Sequence, residues 1–185
     1  MSVFVALLRG INVGGHHKIK MAALKESLGT LCFQNVETYL QSGNIIFESS
    51  CSEISILKEK IAQQILIDFG YKIPVLIFSK NTFLKGKEKN PFINKTTVDI
   101  KKLYITFLNK KPDIKLFSII KENPKFSEKM VLDSAIIYLY YTNNFGKSKI
   151  NNNFWERQLG IAATTRNWNT VCNLYEKLQK RALVK

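Results

Sequence analysis

A continuous apolar run over residues 3–8 constrains the fold more than any other feature of the sequence, because neither face of a strand would carry a polar residue there. Runs of this kind are typical of strands that are covered on both sides. We therefore expect residues 3–8 to form a central strand of a sheet, buried on both faces.

Helix and hairpin patterns follow this run. Apolar residues recur at three- and four-residue spacing over residues 21–28, which predicts a short amphipathic helix ending near Gly29. Two strand-like runs, 35–40 and 44–48, flank the turn sequence QSGN, in which Gly43 can adopt a positive φ without steric cost. These features predict a β-hairpin.

A second helix and a fourth strand complete the first half of the chain. Ser50 and Glu53 have the spacing of a capping box, which predicts a helix from there to Gly70. Pro74 cannot lie within a central strand, so residues 75–78 are expected to form an edge strand. The order strand, helix, strand, strand, helix, strand predicts a ferredoxin-like βαββαβ unit with an antiparallel sheet.

The rest of the chain predicts a second α+β half. Residues 81–100 have no periodicity and many lysines, which indicates a basic connector or flap. Beyond it we expect a βαββα-type half with a C-terminal helix: a strand at 103–108, a helix from Pro112 to about 122, a hairpin at 129–141, and helices at 151–159 and 168–183. The fold class is therefore α+β, with halves at 1–80 and 101–185.

Charge is distributed unevenly along the sequence. The net charge of +14 divides into +2 for residues 1–80 and +12 for residues 81–185. A basic half is compatible with a nucleic acid or another polyanion as partner. However, 24 of the 28 basic residues are lysine, and scattered lysines also keep a protein soluble without binding anything.

Composition also narrows the class of protein. No apolar run approaches the roughly 20 residues of a membrane-spanning helix, so we expect a cytoplasmic protein with no membrane contact. The three cysteines have no metal-binding spacing, and His16 and His17 are the only histidines. We therefore expect neither a metal nor another cofactor.

The loop that follows the first predicted strand combines glycines with cations just ahead of a helix. Glycines allow its backbone N–H groups to turn inward, and a helix N-terminus favours negative charge. The residues expected to contact a phosphate or carboxylate are Arg9, Asn12, Gly14, Gly15, Lys18 and Lys20. The loop matches neither a P-loop nor a dinucleotide fingerprint. The alternative is a glycine-rich connector with solvated lysines.

Two further polar segments are candidate ligand contacts. Ser42 and Asn44 lie in the QSGN turn, which we expect at the opposite end of the sheet from the first loop. In the segment TTRNWNT, Arg166 is a candidate phosphate ligand, Asn167 or Thr165 a helix cap, and Trp168 either a core residue or a stacking platform for a base. The basic sequence GKSK, at 146–149, precedes another predicted helix.

Six segments occur in order along the chain: ALLRGINVGG, MAALKESLG, NVETYLQSGNIIF, IYLYY, GKSK and TTRNWNTV. Together they resemble a family of uncharacterised, mainly bacterial conserved proteins that is classified as a domain of unknown function. The resemblance spans almost the whole chain. It implies an α+β fold built of ferredoxin-like pieces, and it implies no activity. The HHKI stretch and the lysine-rich connector are not parts of this pattern.

Three functional hypotheses follow from these features. The first is a protein that binds a small phosphorylated molecule through loop 9–20. The second is a nucleic-acid-binding protein that uses the basic second half, although the ribonucleoprotein signature is missing. The third is an interaction protein with no small ligand. No paired carboxylates, nucleophile with its base, or metal set is identifiable, so the sequence assigns no enzymatic reaction.

Overall fold

Two four-stranded antiparallel sheets organise the chain, as seen in a computed structural model that describes residues 1–93, 98–142 and 145–181. The predicted α+β class is confirmed. The chain forms two compact units, one made of residues 1–84 with 178–185 and the other of residues 85–177.

The first sheet has the strand order β2-β3-β1-β4, and every neighbouring pair is antiparallel. Its strand β4 lies at an edge, as Pro74 predicts. The elements are β1 (Ser2–Leu8), α1 (Met21–Gly29), β2 (Gln34–Tyr39), β3 (Asn44–Ser49), α2 (Ile54–Phe69) and β4 (Val75–Ser79).

Strand β1 is buried on both faces, as predicted. Alternate residues Phe4, Ala6 and Leu8 belong to a core that also contains Leu24 of α1 and Ile61 of α2. The residues between them on β1 are equally buried. The apolar run is thus explained by burial, which favours the sheet by roughly 25 cal/mol for each Å² of apolar surface removed from water.

The start of α2 differs from the prediction. The helix begins at Ile54, and its N-cap residue Glu53 makes no side-chain capping hydrogen bond, so the capping box predicted for Ser50 and Glu53 is wrong. Glu53 instead accepts a hydrogen bond from the Ser55 hydroxyl at 2.9 Å. The C-terminal prediction is confirmed, because Gly70 caps the helix with a φ of 72°.

The second sheet repeats the strand order of the first, with the order β6-β7-β5-β8. Aromatic residues Phe117, Phe154 and Trp155 of its two covering helices pack on Leu108 and Leu139 of the sheet. The elements are β5 (Leu103–Leu108), α4 (Ile114–Lys121), β6 (Lys129–Asp133), β7 (Ile136–Tyr140), α5 (Asn152–Leu159), β8 (Ala163–Asn167) and α6 (Trp168–Lys180). Residues 182 and 183 of the predicted last helix lie outside the described residues.

Strand β8 corrects the predicted βαββα-type second half, which contains no strand at residues 163–167. The sequence ATTRN contains no apolar run, yet it pairs with β5 along five positions. The Thr106 and Thr165 hydroxyls form a cross-strand hydrogen bond of 2.8 Å. This bond satisfies polar groups that would otherwise disfavour a buried strand.

One helix starts differently from its prediction, and another was not predicted. Helix α4 begins at Ile114, and the Asp113 carboxylate caps it by accepting from the Lys115 N–H at 2.7 Å, so Pro112 is not its first residue. A further helix, α3 (Lys80–Glu88), occupies part of the predicted connector. The domain boundaries at 80 and 101 stay a prediction.

Candidate functional site

The loop between β1 and α1 folds into a small hairpin of its own. The Asn12 N–H donates to the His17 carbonyl at 3.2 Å, and the His16 N–H donates to the Val13 carbonyl at 3.0 Å. At its exposed tip Gly14 and Gly15 have φ values of 59° and 82°. These are conformations that glycine adopts without strain, as the sequence predicts.

Asn12 fixes this loop from inside. Its amide oxygen accepts from the Ile19 N–H at 2.9 Å, and its amide nitrogen donates to the Ile19 and Gln41 carbonyls at 3.0 and 2.9 Å. Both amide hydrogens are therefore engaged with the protein. The geometry makes Asn12 a residue that positions the loop.

The loop and the QSGN turn lie at the same end of the sheet, so their predicted separation is wrong. Strands β1 and β3 are antiparallel with Leu7 opposite Asn44, which brings the start of β3 to the end of β1. The Leu8 N–H donates to the Gly43 carbonyl at 2.8 Å. The Asn12–Gln41 hydrogen bond joins the loop to the turn directly.

Polar side chains of the QSGN turn stabilise that turn through hydrogen bonds. Asn44 is fully buried, and its amide nitrogen donates to the Tyr39 carbonyl at 2.7 Å and to the Ser42 hydroxyl at 3.0 Å. Unlike Asn44, Ser42 is partly exposed. The direct ligand contacts predicted for these two residues stay predictions.

Positive charge dominates the loop. Residues 1–25 contain no Asp or Glu, and Lys18 and Lys20 are exposed with no ion-pair partner in the described part of the chain. Lys20 is the N-cap residue of α1, and no side chain caps that helix. Arg9 is partly exposed, and its backbone N–H donates to the Pro74 carbonyl at 3.0 Å. A helix start with this charge attracts anions.

The connection between α2 and β4 also borders the loop, which the sequence analysis missed. The His17 and Tyr71 rings lie 5.0 Å apart, and Pro74 meets the backbone of Arg9. This proximity follows from the antiparallel pairing of β1 with β4, where Leu8 is opposite Val75. In the sequence, the one feature that indicated this proximity was Pro74, which predicted an edge position for β4.

The second candidate cluster belongs to the other unit and is largely internal. Arg166 lies on β8 with 7% of its surface exposed, and its guanidinium donates to the Thr164 hydroxyl at 2.8 Å and the Thr165 carbonyl at 3.0 Å. Asn167 caps α6 by accepting from the Thr170 N–H at 2.8 Å. A phosphate contact of Arg166 stays a prediction.

Trp168 is 6% exposed, so its ring offers little surface for stacking with a base. The Lys87 ammonium lies 5.8 Å from the centroid of the Trp168 ring and 4.4 Å from that of Tyr175. In the GKSK segment, the Ser148 hydroxyl donates to the Glu128 carboxylate. These contacts give both segments a role in holding the second unit together.

The two central strands of the second sheet, β5 and β7, offer few exposed side chains to a nucleic acid. All four residues 136–139 of β7 are at most 7% exposed, and Ile105 and Phe107 of β5 are at most 1% exposed. Sheet-type RNA-binding modules stack bases on exposed aromatic residues of such strands. A nucleic acid would therefore have to contact residues other than these buried ones, such as the exposed Lys129 of β6.

The described residues contain neither a cluster of metal ligands nor a membrane-spanning helix. No group of three or more His, Cys, Asp or Glu residues in them is arranged to hold a metal ion. None of the described helices is long and apolar enough to cross a bilayer.

The fold and this loop define a mixed α+β protein with a basic strand-to-helix loop. A family described as "Protein of unknown function (DUF1697)" matches residues 1–138, and the chain belongs to that family. The resemblance to a domain of unknown function is thereby confirmed.

Solved structures support the fold. The chain is similar to the conserved bacterial protein SP0830 from Streptococcus pneumoniae, with a TM-score of 0.74 and 22% identity over 96% of this chain and 98% of that chain. At this identity the similarity establishes the fold alone. No curated protein matches the chain.

Proposed function

We propose that the protein binds a small anionic, phosphate-bearing ligand at loop 9–20. The observation that supports this most directly is the start of α1, where no side chain caps the helix and no acidic residue lies in the first turn. Lys18 and Lys20 flank this helix start and are exposed. Unpaired backbone N–H groups and two ammonium groups form a site that stabilises a phosphate or carboxylate.

The loop residues have distinct roles in this proposal. Lys18, Lys20 and Arg9 supply positive charge, and Gly14 and Gly15 supply backbone N–H groups at an exposed tip. Asn12 keeps the loop in shape through the Ile19 and Gln41 hydrogen bonds.

We further propose that each half has the ferredoxin-like arrangement. The strand orders β2-β3-β1-β4 and β6-β7-β5-β8, both antiparallel, support this proposal. So does the presence of two helices against one face of each sheet, shown by the shared apolar cores. Many unrelated functions occur on that arrangement, so the functional argument depends on the loop alone.

Titration with inorganic pyrophosphate tests the proposed function. We expect saturable binding that weakens at least about tenfold in Lys18→Glu, because a charge-assisted hydrogen bond contributes roughly 1.5–3 kcal/mol. Lys58→Glu is the matched control: it makes the same change in net charge at an exposed position of α2, and we expect unchanged affinity. Equal weakening in both variants would show that only net charge matters and would contradict the loop site.

Titration with short single-stranded RNA tests the alternative function, nucleic-acid binding, in the same experiment. If the basic second half were the binding surface, RNA would bind with an affinity that falls steeply with salt and is insensitive to Lys18→Glu. Pyrophosphate binding that persists at high salt and depends on Lys18 supports the loop instead.

A further inference from the structure

Helix α2 exposes apolar side chains on a surface away from its core residues. Ile67 is 73% exposed, more than any other large hydrophobic side chain in the described ranges, and Ile56 is 47% exposed. The core side of the same helix carries Leu57, Ile61 and Ile65, which are fully buried. Because removing apolar side chains from water is favourable, the outer surface of α2 favours contact with another molecule.

The two exposed isoleucines lie on one ridge of the helix. They are eleven residues apart, so they differ by only about 20° around the axis and by about 16 Å along it. Lys60 and Gln63 lie between them on this surface, and both are exposed. We call these four residues the α2 ridge. Their spacings of four, three and four residues are typical of side chains that face a neighbouring helix.

The α2 ridge is complementary to itself. Read from either end, it is apolar, polar, polar and apolar, with the same spacings. In an antiparallel pair of α2 helices with a two-fold axis near Ala62, Ile56 of one copy would lie opposite Ile67 of the second copy. Lys60 would lie opposite Gln63 in the same way. An isologous interface between two identical chains requires this kind of symmetry.

The charges of α2 also fit a second copy. The helix has no net charge within a chain of +14, because two basic residues are balanced by two acidic ones: Lys58, Lys60, Glu59 and Asp68. The Glu59 carboxylate accepts from the Gln63 amide at 3.2 Å, which holds it beside the α2 ridge. Since Gln63 would face Lys60 of the second copy, each Glu59 would lie near a lysine of the other chain. Opposite charges would therefore meet twice across the pair.

Helix α4 is less suited to a second copy, although it also exposes apolar residues. It exposes Leu116 and Ile119, but it contains Lys115 and Lys121 and no acidic residue. Two copies of α4 would bring like charges together, which is unfavourable. Ile119 is 66% exposed and therefore serves as a matched control for Ile67.

We propose that two copies of the chain associate through antiparallel α2 helices, with their α2 ridges in contact. Ile56 of each copy packs on Ile67 of the other, at the two ends of the contact. Four side chains from each copy bury less than the roughly 1,200 Å² of a stable interface. The dimer is therefore weak, with a dissociation constant on the order of 0.1 mM.

Sedimentation velocity of the full chain, from about 0.01 to about 0.5 mM, tests the proposal. We expect the average mass to rise from the monomer value towards twice that value. Ile67→Glu should weaken association at least about tenfold, because each copy then places a carboxylate against Ile56 of the other. Ile119→Glu makes the same change on α4 and should leave association unchanged. Equal weakening in both variants would refute the α2 contact.

A double substitution tests the antiparallel register. Ile56→Lys should weaken association as Ile67→Glu does. In the antiparallel pair, the new ammonium at position 56 faces the new carboxylate at position 67 of the other copy, whereas within one helix they are too far apart to pair. We therefore expect Ile56→Lys/Ile67→Glu to associate at least about threefold more tightly than either single variant. A double variant as weak as the single variants would refute this register.

The unsubstituted protein decides the proposal even if a variant does not fold. A reducing agent is present throughout, because Cys32 is exposed and a disulfide between copies would imitate association. An average mass that stays at the monomer value up to the highest concentration would overturn the dimer. That outcome would leave the α2 ridge to a partner other than this chain.

Discussion

Gly43 illustrates how a single residue fixes the geometry of the candidate site. Its φ is 73°, and an added Cβ would lie 2.6 Å from the Ile11 Cδ1 atom and 2.8 Å from the Leu8 Cβ atom. Conformation and close approach therefore both require glycine at this position. The loop and the turn meet closely because no side chain separates them.

The two requirements at Gly43 are separable by mutation. Gly70 has nearly the same φ, 72°, but nothing within 4 Å of an added Cβ. We expect Gly70→Ala to lower the free energy of unfolding by about 1 kcal/mol, from left-handed strain alone. Gly43→Ala should cost roughly 2–3 kcal/mol more, since overpacking adds to the strain. Chemical denaturation of both variants measures the difference, and equal losses would contradict the close approach.

Asn12 adds a second prediction at the residue scale. Asn12→Gly keeps the φ of 53° accessible but removes the hydrogen bonds to Ile19 and Gln41. We expect a loss of about 1–3 kcal/mol in the free energy of unfolding, together with weaker pyrophosphate binding. The control is Asn35→Gly: Asn35 has a similar φ of 51° and is exposed, and its side chain makes no hydrogen bond within the described ranges. A comparable loss in Asn35→Gly would assign the effect to backbone entropy.

Elements with a clear local pattern of apolar residues were predictable, and those defined by pairing were not. Strand β1 follows from its apolar run, and the hairpin β6–β7 follows from two strand-like runs. Strand β8 was missed because Thr164 and Arg166 read as polar loop residues until the pairing with β5 is known. Hydroxyl pairing such as that of Thr106 with Thr165 involves residues 59 positions apart, which no local pattern reveals.

The same distinction applies to the candidate site. The glycines and cations of loop 9–20 are contiguous, so local reasoning found them. The approach of Gln41 and Tyr71 depends on the register of β1 with its two neighbouring strands. The end at which the QSGN turn lies depends on strand direction instead: β3 is antiparallel to both β1 and β2, so β1 and β2 run the same way and the turn follows β2 at the end where β1 also finishes. The predicted βαββαβ topology already implies this, so the expectation of opposite ends misapplied that topology.

We expect the stability of the protein to depend on pH through Tyr138 of strand β7. Burial raises the pKa of Tyr138 to about 12, and the negative charge of Asp133 adds to this effect. Tyr138 is 1% exposed, and its hydroxyl donates to the Gly86 carbonyl at 2.9 Å. Since the folded-state pKa exceeds the unfolded value near 10, the stabilising contribution is complete below pH 10 and is lost as the pH rises to 12.

Denaturation between pH 9 and pH 11 measures this contribution. Above pH 10 we expect the free energy of unfolding to fall by up to about 1.4 kcal/mol per pH unit through Tyr138. Tyr138→Phe should be less stable at neutral pH, because the Gly86 carbonyl loses its donor, but it should show a shallower alkaline decline. An identical slope in both proteins would show that Tyr138 ionises freely in the folded state.

At the scale of the whole molecule, net charge opposes folding. The charge of +14 makes the average interaction between charged groups repulsive, and the repulsion is concentrated in residues 81–185 with +12. Salt screens exposed charges over about 8–10 Å at physiological ionic strength. The protein should therefore become more stable as sodium chloride is added.

Thermal unfolding at increasing sodium chloride tests this expectation, and the position of the charge provides the control. We expect the melting temperature to rise by roughly 2–4 °C between 0.02 and 0.3 M salt, equivalent to about 1 kcal/mol for a chain of this length. Replacing the exposed Lys111, Lys125 and Lys129 with glutamine should reduce that rise.

Lys→Gln substitutions at exposed lysines 25, 58 and 60 remove the same amount of charge from the part of the chain that carries only +2. Because residues 1–80 carry a net charge of +2 and residues 81–185 carry +12, we expect a smaller reduction of the salt response than in the second half. Equal reductions from both triple substitutions would mean that repulsion depends on total charge alone. In that case the uneven distribution of lysine along the chain has no consequence for stability.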